Sequence, residues 1–420
     1  MAFYSPFFLL AFLPVGASVY YSIPLKFRNI ALCALNLLFY FFAAGKWFFV
    51  LPFGCALVCF LARFRPAAGI AVLAVLFALC KAFAFLPLGI SFFFFRAISF
   101  LADGAGERNP VRIFSYLLFF PTAAMGPITR YAEMSPLLCR PSPPDFSRIA
   151  GGILRFCAGL VKKLFFADML LLLHRDFLSG STCLSAAMAL FSYTLYLYFD
   201  FSGYSDMALG CAAIFGFSLA ENFSYPYTAR SVGEFFRRWH ISLGRWFRDY
   251  IYIPLGGSRH GTLRMLAALA AVWLLTALWH GTTACFLFWG AYCFLLVALE
   301  KLVLPKGVLP GRLSTFLLLS LGWIFFFSPN LRSAAAFASR LFCRGGTLLY
   351  SRADLYDVIR LLPFFLLCLV LATPLFRNLG ERLWQKNVRL PLYLFSALAY
   401  ILALSCIAAG GYTPFLYAAF

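Results

Sequence analysis

Apolar runs long enough to cross a lipid bilayer follow one another through nearly the whole chain, and no other feature narrows its fold so far. About 20 consecutive apolar residues, wound as a helix, span a hydrocarbon core of roughly 30 Å. Of the 420 residues, 63% are hydrophobic and only 12% are charged, too few charges to coat a water-soluble protein of this size. In lipid every backbone polar group must find a partner within the structure, which leaves helices or closed barrels. A barrel needs alternating strands of about 10 residues, whereas these runs are continuous. The chain therefore reads as an all-α, polytopic membrane protein with roughly 11 spans.

The net charge of +20 fits this class. In a soluble protein it would suggest nucleic acid. Here it points to basic loops on the cytoplasmic side and to contact with anionic lipid headgroups. The N-terminal run MAFYSPFFLLAFLPVGASVYYSIPLKFR has no basic residue ahead of it, unlike a cleaved signal peptide, and reads as a first membrane helix. Lys26 and Arg28 place the first loop in the cytoplasm. The 13 cysteines are odd in number, lie mostly in apolar stretches and form no CxxC, so they imply neither a zinc site nor a disulfide framework.

Apolar runs near 30–44, 47–62, 67–80 and 83–101 read as helices, and further ones lie near 149–176, 184–199, 284–300, 312–328, 358–373 and 392–409. The segment FSYLLFFPTAAMGPITRYAEMSP is different. Pro121 and Gly126-Pro127 break any single helix there. Such a segment can enter the membrane without crossing it only where protein or water satisfies its backbone. No linker or composition shift marks a second domain, and residues 1–420 read as one unit with a motif core at 198–300.

Polar and titratable groups collect between Tyr198 and His280. On an ideal wheel of about 100° per residue, Ser231 to Tyr250 forms an amphipathic helix. Phe235, Phe236, Trp239, Leu243, Trp246, Phe247 and Tyr250 share one sector, Arg237, Arg238, Arg245 and Arg248 lie opposite, and His240 is on the border. One reading sets the arginines on anionic lipid heads. The other makes them an anion-binding face for the phosphates of a cytosolic donor, since the guanidinium fork binds phosphate oxygens in pairs.

His280 interrupts a stretch that is apolar from Met265 to Trp279, except for Thr276, and again from Ala284 to Leu299. As one helix it would be about 50 Å long, so it must break near His280. Each half is shorter than a full span, which predicts a break at membrane depth with His280 facing a water-lined cavity. An ionisable group in that position marks a functional site; the alternative is a neutral core histidine bonded to a neighbouring carbonyl. Asp200 and Asp206 need buried partners, from Ser202, Tyr204 and Ser205 or from the central arginines. His174, at a helix end, and His260, in a glycine-flanked loop, read as solvated. No carboxylate or cysteine lies at ligand spacing from His240 or His280, so no metal is expected. The GxSxG elbow, the P-loop and HExxH are missing, which leaves a serine hydrolase or an ATPase without support. A transporter or flippase using Asp200, Asp206 and His280 as a proton relay is a rival reading, although no two-half repeat symmetry is visible.

LYFDFSGYSDMALG, ENFSYPY, EFFRRWHISLGRWFRDYIYIPLGGSR and ALWHG together resemble the membrane-bound O-acyltransferase family, and most closely its bacterial polysaccharide O-acetylase branch. Weaker likeness extends through YSPFFLLAFLPV, LPLGISFFFFRAISFLAD, FFPTAAMGPITRY and GLVKKLFFADML, and returns in the ending TPFLYAAF. The resemblance implies a ring of helices around a central tunnel. It implies His280 as the catalytic histidine and His240 as its support at the cytosolic mouth. Arg237, Arg238, Arg245 and Trp239 are then donor-binding, while Asp200, Tyr204, Asp206 and Trp279 line the tunnel or are structural. Also implied are an acetyl-CoA or other acyl thioester co-substrate, no bound cofactor, and a place in the bacterial inner membrane. The acceptor would be an envelope polysaccharide or an exported SGNH-hydrolase-like partner. D-alanyl or other acyl transfer to an envelope polymer is the related alternative, and the YIPLGGSR continuation favours O-acetylation. The branch carries a further histidine about a dozen residues after His280, where this chain has Tyr292-Cys293-Phe294.

Overall fold

The structure, a computed structural model, describes residues 2–104, 106–303, 311–410 and 415, and no β-strand occurs among them. The apolar runs become helices close to where the sequence puts them, including Arg28–Ala44, Val50–Leu61, Pro66–Ala82, Ile90–Asp103 and Leu390–Ala408. The count of roughly 11 spans is not established by their lengths. Among the described residues, four helices are long and apolar enough to cross a membrane, and a fifth if the bent pair Arg352–Leu371 and Leu375–Gln385 counts as one span. Phe8–Ser22, Val50–Leu61, Pro66–Ala82 and Arg312–Phe327 are apolar but shorter.

The chain forms two compact units from non-contiguous segments. The first takes Met1–Leu164, Phe201–Glu221 and Tyr393–Phe420; the second takes Phe165–Asp200 and Asn222–Leu392. A helix of 32 residues, Cys183–Ile214, contributes to both.

In the first unit the segment rich in proline and glycine is irregular between the helices Pro110–Leu117 and Tyr131–Cys139, yet almost wholly buried. Its backbone finds protein partners, as a buried loop must. Asn36, fully buried, accepts from the Phe120 amide at 3.0 Å and donates to the Ser115 carbonyl at 3.1 Å. Arg96 donates to Thr122 Oγ1 at 3.0 Å and to the Phe119 carbonyl at 3.4 Å, and the Tyr116 hydroxyl donates to the Thr129 carbonyl at 2.8 Å.

The same unit holds a close helix crossing. Asp145 caps the Phe146–Val161 helix, its Oδ1 accepting from the amides of Ser147 and Arg148. Gly152 and Gly159 on that helix face Gly210 and Gly203 on the long helix. A Cβ on Gly159 would stand 2.6 Å from the Gly203 carbonyl oxygen, and one on Gly210 would stand 2.5 Å from that of Gly152. Each pair is seven residues apart, two turns, so the glycines form one flat stripe per helix. Of the ending TPFLYAAF only Phe415 is among the described residues; Tyr417 to Phe420 lie outside them. Phe415 is buried against Tyr4 and Tyr204, with Lys163 Nζ 4.6 Å from its ring centroid.

Candidate active site

In the second unit Thr262–His280 and Ala284–Leu302, of 19 residues each, are joined by Gly281–Thr283 and pack as a hairpin. A Cβ on Gly290 would stand 2.7 Å from the Cβ of Ala277, so glycine is what lets the arms close. The expected break at His280 is present. The expected short halves are not: the first arm starts at Thr262, ahead of the apolar run, because a helix can take polar residues into its first turn. Each arm is about 28 Å long, and each can cross a bilayer alone. His280 therefore stands at the turn of a hairpin.

His280 is 5% exposed. Aromatic rings wall its side chain. Trp289 and Phe326 meet its ring edge-on, each with centroids 5.0 Å away, and Phe286 lies near-parallel at 6.1 Å. Trp279 lies 4.4 Å from the His280 ring. On that indole's other contact sits His240, edge-on at 6.0 Å. Both sequence-derived histidines thus share one buried indole.

His240 itself corrects the single amphipathic helix read from the wheel. Val232–Arg238 and Ile241–Phe247 are separate helices, and His240 between them is left-handed, with φ 45° and ψ 54°. The break is imposed from elsewhere in the chain. The Ser224 amide donates to the Arg238 carbonyl at 3.0 Å, and the Ile241 amide donates to the Asn222 carbonyl at 2.9 Å, diverting two groups from the helix. The Asn222 side chain completes the junction, its Oδ1 lying 3.1 Å from His240 Nδ1, 3.2 Å from the Ser242 amide and 2.9 Å from Ser242 Oγ.

His240 is 4% exposed and lies outside the helices able to cross a membrane. Burial lowers its pKa to about 3, against about 6.5 in an unfolded chain. The unfolded state therefore binds more protons between these values, and the stability associated with a neutral His240 is complete above about pH 6.5 and lost as pH falls below it. Thermal melts in detergent between pH 7.5 and pH 5 are expected to fall with pH, and His240→Asn is expected to flatten that slope by up to about one proton. An unchanged slope in the variant would contradict the buried, neutral state.

The arginines are divided between separate elements. Arg238 pairs with Glu234 and donates to Thr228 Oγ1 at 2.9 Å, and Arg248 pairs with Asp249 at 2.7 Å. Arg237 and Arg245 are exposed on different helices. Trp239 turns inward, stacked on Phe235 at 5.4 Å and 5.5 Å from Trp323. The Val232–Arg238 helix is pinned to the hairpin by Glu300, whose carboxylate accepts from Ser231 Oγ at 2.8 Å and from the Gly233 amide at 3.0 Å.

The remaining candidates are placed as follows. Asp200 is buried on the long helix, within the second unit. Tyr204 and Asp206 belong to the first unit. Tyr204 stacks on Phe3 at 5.1 Å. Asp206 is held by Arg155 at 2.9 Å and Lys162 at 2.6 Å rather than by a central arginine, and Arg155 also binds Glu221. His174, expected to be solvated, is 5% exposed and bonded through Nδ1 to the Ala189 carbonyl at 2.9 Å, because its helix turns that face inward. His260 is exposed as expected. The Tyr292 hydroxyl, in the stretch where the resembling branch has a histidine, donates to the Leu318 carbonyl at 2.7 Å. Among the described residues no three His, Cys, Asp or Glu side chains gather as a metal site. Asn222, Ser242, Glu300, Trp289 and Phe326 were not foreseen. Asn222 stands inside the quoted ENFSYPY, but no helical spacing relates it to His240.

Comparison with known proteins bears on the same stretch. The pattern of the membrane-bound O-acyltransferase family matches residues 90–306. The chain is 35% identical over 382 residues to a probable alginate O-acetylase of Pseudomonas fluorescens, covering 82% of this chain and 76% of that protein. It is 33% identical over 293 residues to a peptidoglycan O-acetyltransferase of Helicobacter pylori, covering 59% of this chain and 55% of that one. A teichoic acid D-alanyltransferase of Bacillus subtilis is 26% identical over 230 residues, covering 49% and 56%. With the matched region holding His240, His280 and the hairpin that carries the second of them, this chain belongs to the membrane-bound O-acyltransferase family and is a multi-pass membrane acyltransferase.

Proposed function

We propose that this protein moves an acetyl group from acetyl-CoA, a cytosolic thioester, to a hydroxyl of an envelope polysaccharide or of an exported carrier, within the bacterial inner membrane. The observation that carries this reading is the pair of buried histidines on one indole inside the family-matched region. The names of the relatives, alginate O-acetylase and peptidoglycan O-acetyltransferase, favour acetyl as the group and a polymer as the acceptor. The D-alanyltransferase shares less of the chain.

In this reaction a C–O bond forms and the C–S bond breaks. His280 takes the proton of the attacking hydroxyl and returns it to the departing thiolate. An imidazole is suited to that role near neutral pH, and positioned proton transfer contributes typically about 10²–10⁴-fold. The aromatic walls exclude water, which would otherwise compete for the acyl group. Exposed Arg237 and Arg245 attract the donor's phosphates, and His240 holds the donor near them. Arg238, tied to Glu234 and Thr228, keeps the helix end in place.

The test uses purified full-length protein in lipid vesicles with acetyl-labelled CoA thioester. Wild type is expected to release free thiol and pass label to an added glycan or carrier, and His280→Ala to do neither. Thiol release equal in both proteins would remove His280 from the chemistry. Label transfer from a D-alanyl thioester but not from acetyl-CoA would move the chain to the aminoacyl branch.

A further inference from the structure

We infer that Asn222 is a positioning residue that locks His240 in its Nδ1–H tautomer, so that Nε2 is the atom that accepts a hydrogen bond from a substrate N–H or O–H group. The use of His240 by substrate rests on the proposed function; the tautomer does not. The argument starts from the Ser242 amide, which can only donate. It lies 3.2 Å from the terminal Asn222 atom, so that atom is the carbonyl oxygen and the amide cannot be flipped. A carbonyl oxygen can only accept. The same oxygen is 3.1 Å from His240 Nδ1, so Nδ1 carries the hydrogen. A neutral imidazole has one N–H and one lone pair, which leaves the lone pair on Nε2. The low pKa that burial gives His240 agrees with a neutral ring.

Three features make the oxygen's position rigid. Asn222 is fully buried. Its own carbonyl accepts from Ile241, immediately after His240. Ser242 Oγ, also buried, donates to the same Oδ1 at 2.9 Å. Asn222 therefore bonds to the backbone or side chain of three consecutive residues, and the left-handed turn at His240 is what brings them together. A histidine so held is an acceptor of hydrogen bonds rather than a cationic phosphate ligand. It fits an amide N–H of the thioester donor's arm or the hydroxyl of the acceptor.

The experiment has a spectroscopic arm and a kinetic arm, both on the full-length protein. With 15N-labelled histidine, the ring signals lost in His240→Asn are those of His240. They are expected to show a protonated Nδ1 and an unprotonated Nε2. Asn222→Ala is expected to mix the two tautomers, and Asn222→Asp, which keeps an acceptor oxygen, to retain Nδ1–H. If Asn222→Ala does not fold, Asn222→Asp carries the test alone. A protonated Nε2 in wild type or in Asn222→Asp, or an unchanged spectrum in Asn222→Ala, overturns the inference. In the kinetic arm Asn222→Ala is expected to lower acyl transfer by about 10–100-fold, the loss usual when the partner that orients a functional histidine is removed. In a His240→Asn background it is expected to have little further effect, whereas a purely structural role gives additive losses. A His240→Asn rise in KM for the thioester identifies the donor as the bonded group, and a rise in KM for the glycan identifies the acceptor. If His240→Asn transfers like wild type, the role of His240 in the reaction fails while the tautomer result still stands.

Discussion

His280→Ala is expected to lower the rate of acyl transfer by about 10²–10⁴-fold, the span that positioned proton transfer commands, while the protein inserts, purifies and elutes as a single species. The geometry separates these two effects. His280 ends its helix at a turn, so the helix keeps its backbone bonding when the ring is removed. What is lost is an imidazole enclosed by Trp279, Trp289, Phe286 and Phe326. The resulting hole among aromatic rings is expected to reduce the melting temperature by a few degrees only, since the residue lies at the end of its helix. His280→Gln, closer in volume, should restore the melt and leave transfer as slow as in the alanine variant. Transfer restored by Gln would mean that His280 acts by shape rather than by moving a proton.

Gly159→Val is expected to have the largest effect on folding, with little or no monodisperse protein recovered. The new Cβ would meet the Gly203 carbonyl oxygen at 2.6 Å and the Met207 amide nitrogen at 2.7 Å. Both are backbone atoms of the long helix, so no side chain can swing away, and the two helices must separate along the whole stripe. In membranes, small residues are the usual means of bringing helices this close, and overpacking at such a site exceeds the usual 1–3 kcal/mol of a crowded core. Gly151→Val on the same helix, where a Cβ meets nothing within 4 Å, is the matched control and should be recovered normally. Fluorescence-detected size exclusion of tagged protein reads both. A normal Gly159→Val profile would mean the crossing is looser than drawn.

How much of this was legible in the sequence depends on how local the cause was. The helices followed from apolar runs, and the break at His280 followed from Gly281-Thr282-Thr283 set between two of them. The buried irregular segment followed from Pro121 and Gly126-Pro127, because proline and glycine act where they stand. The break at His240 did not follow, since its cause is a pair of backbone bonds to residues 222–224, and the wheel of 231–250 contains no proline at the junction. Asp206 was correctly expected to need cationic or donor partners, yet Arg155, 51 residues away, could not be singled out from the many arginines. The length of the arm that ends at His280 was misjudged for another reason: counting only apolar residues understates a helix whose first turn is polar. The two glycine stripes were visible as letters, but they become a signal only once the two helices are known to cross.

The left-handed conformation of His240 has a practical consequence for any engineering of this enzyme. A β-carbon in that region of backbone space is strained, and asparagine and glycine tolerate it best. Random variation screened for heat resistance alone would therefore favour His240→Asn or His240→Gly, which relax the backbone while discarding the imidazole. Such clones would be abundant and soluble in detergent, and under the proposed role of His240 they would transfer acyl groups more slowly. Improvement of this protein by thermal selection must carry a turnover assay in the same round, or it will discard the imidazole without notice.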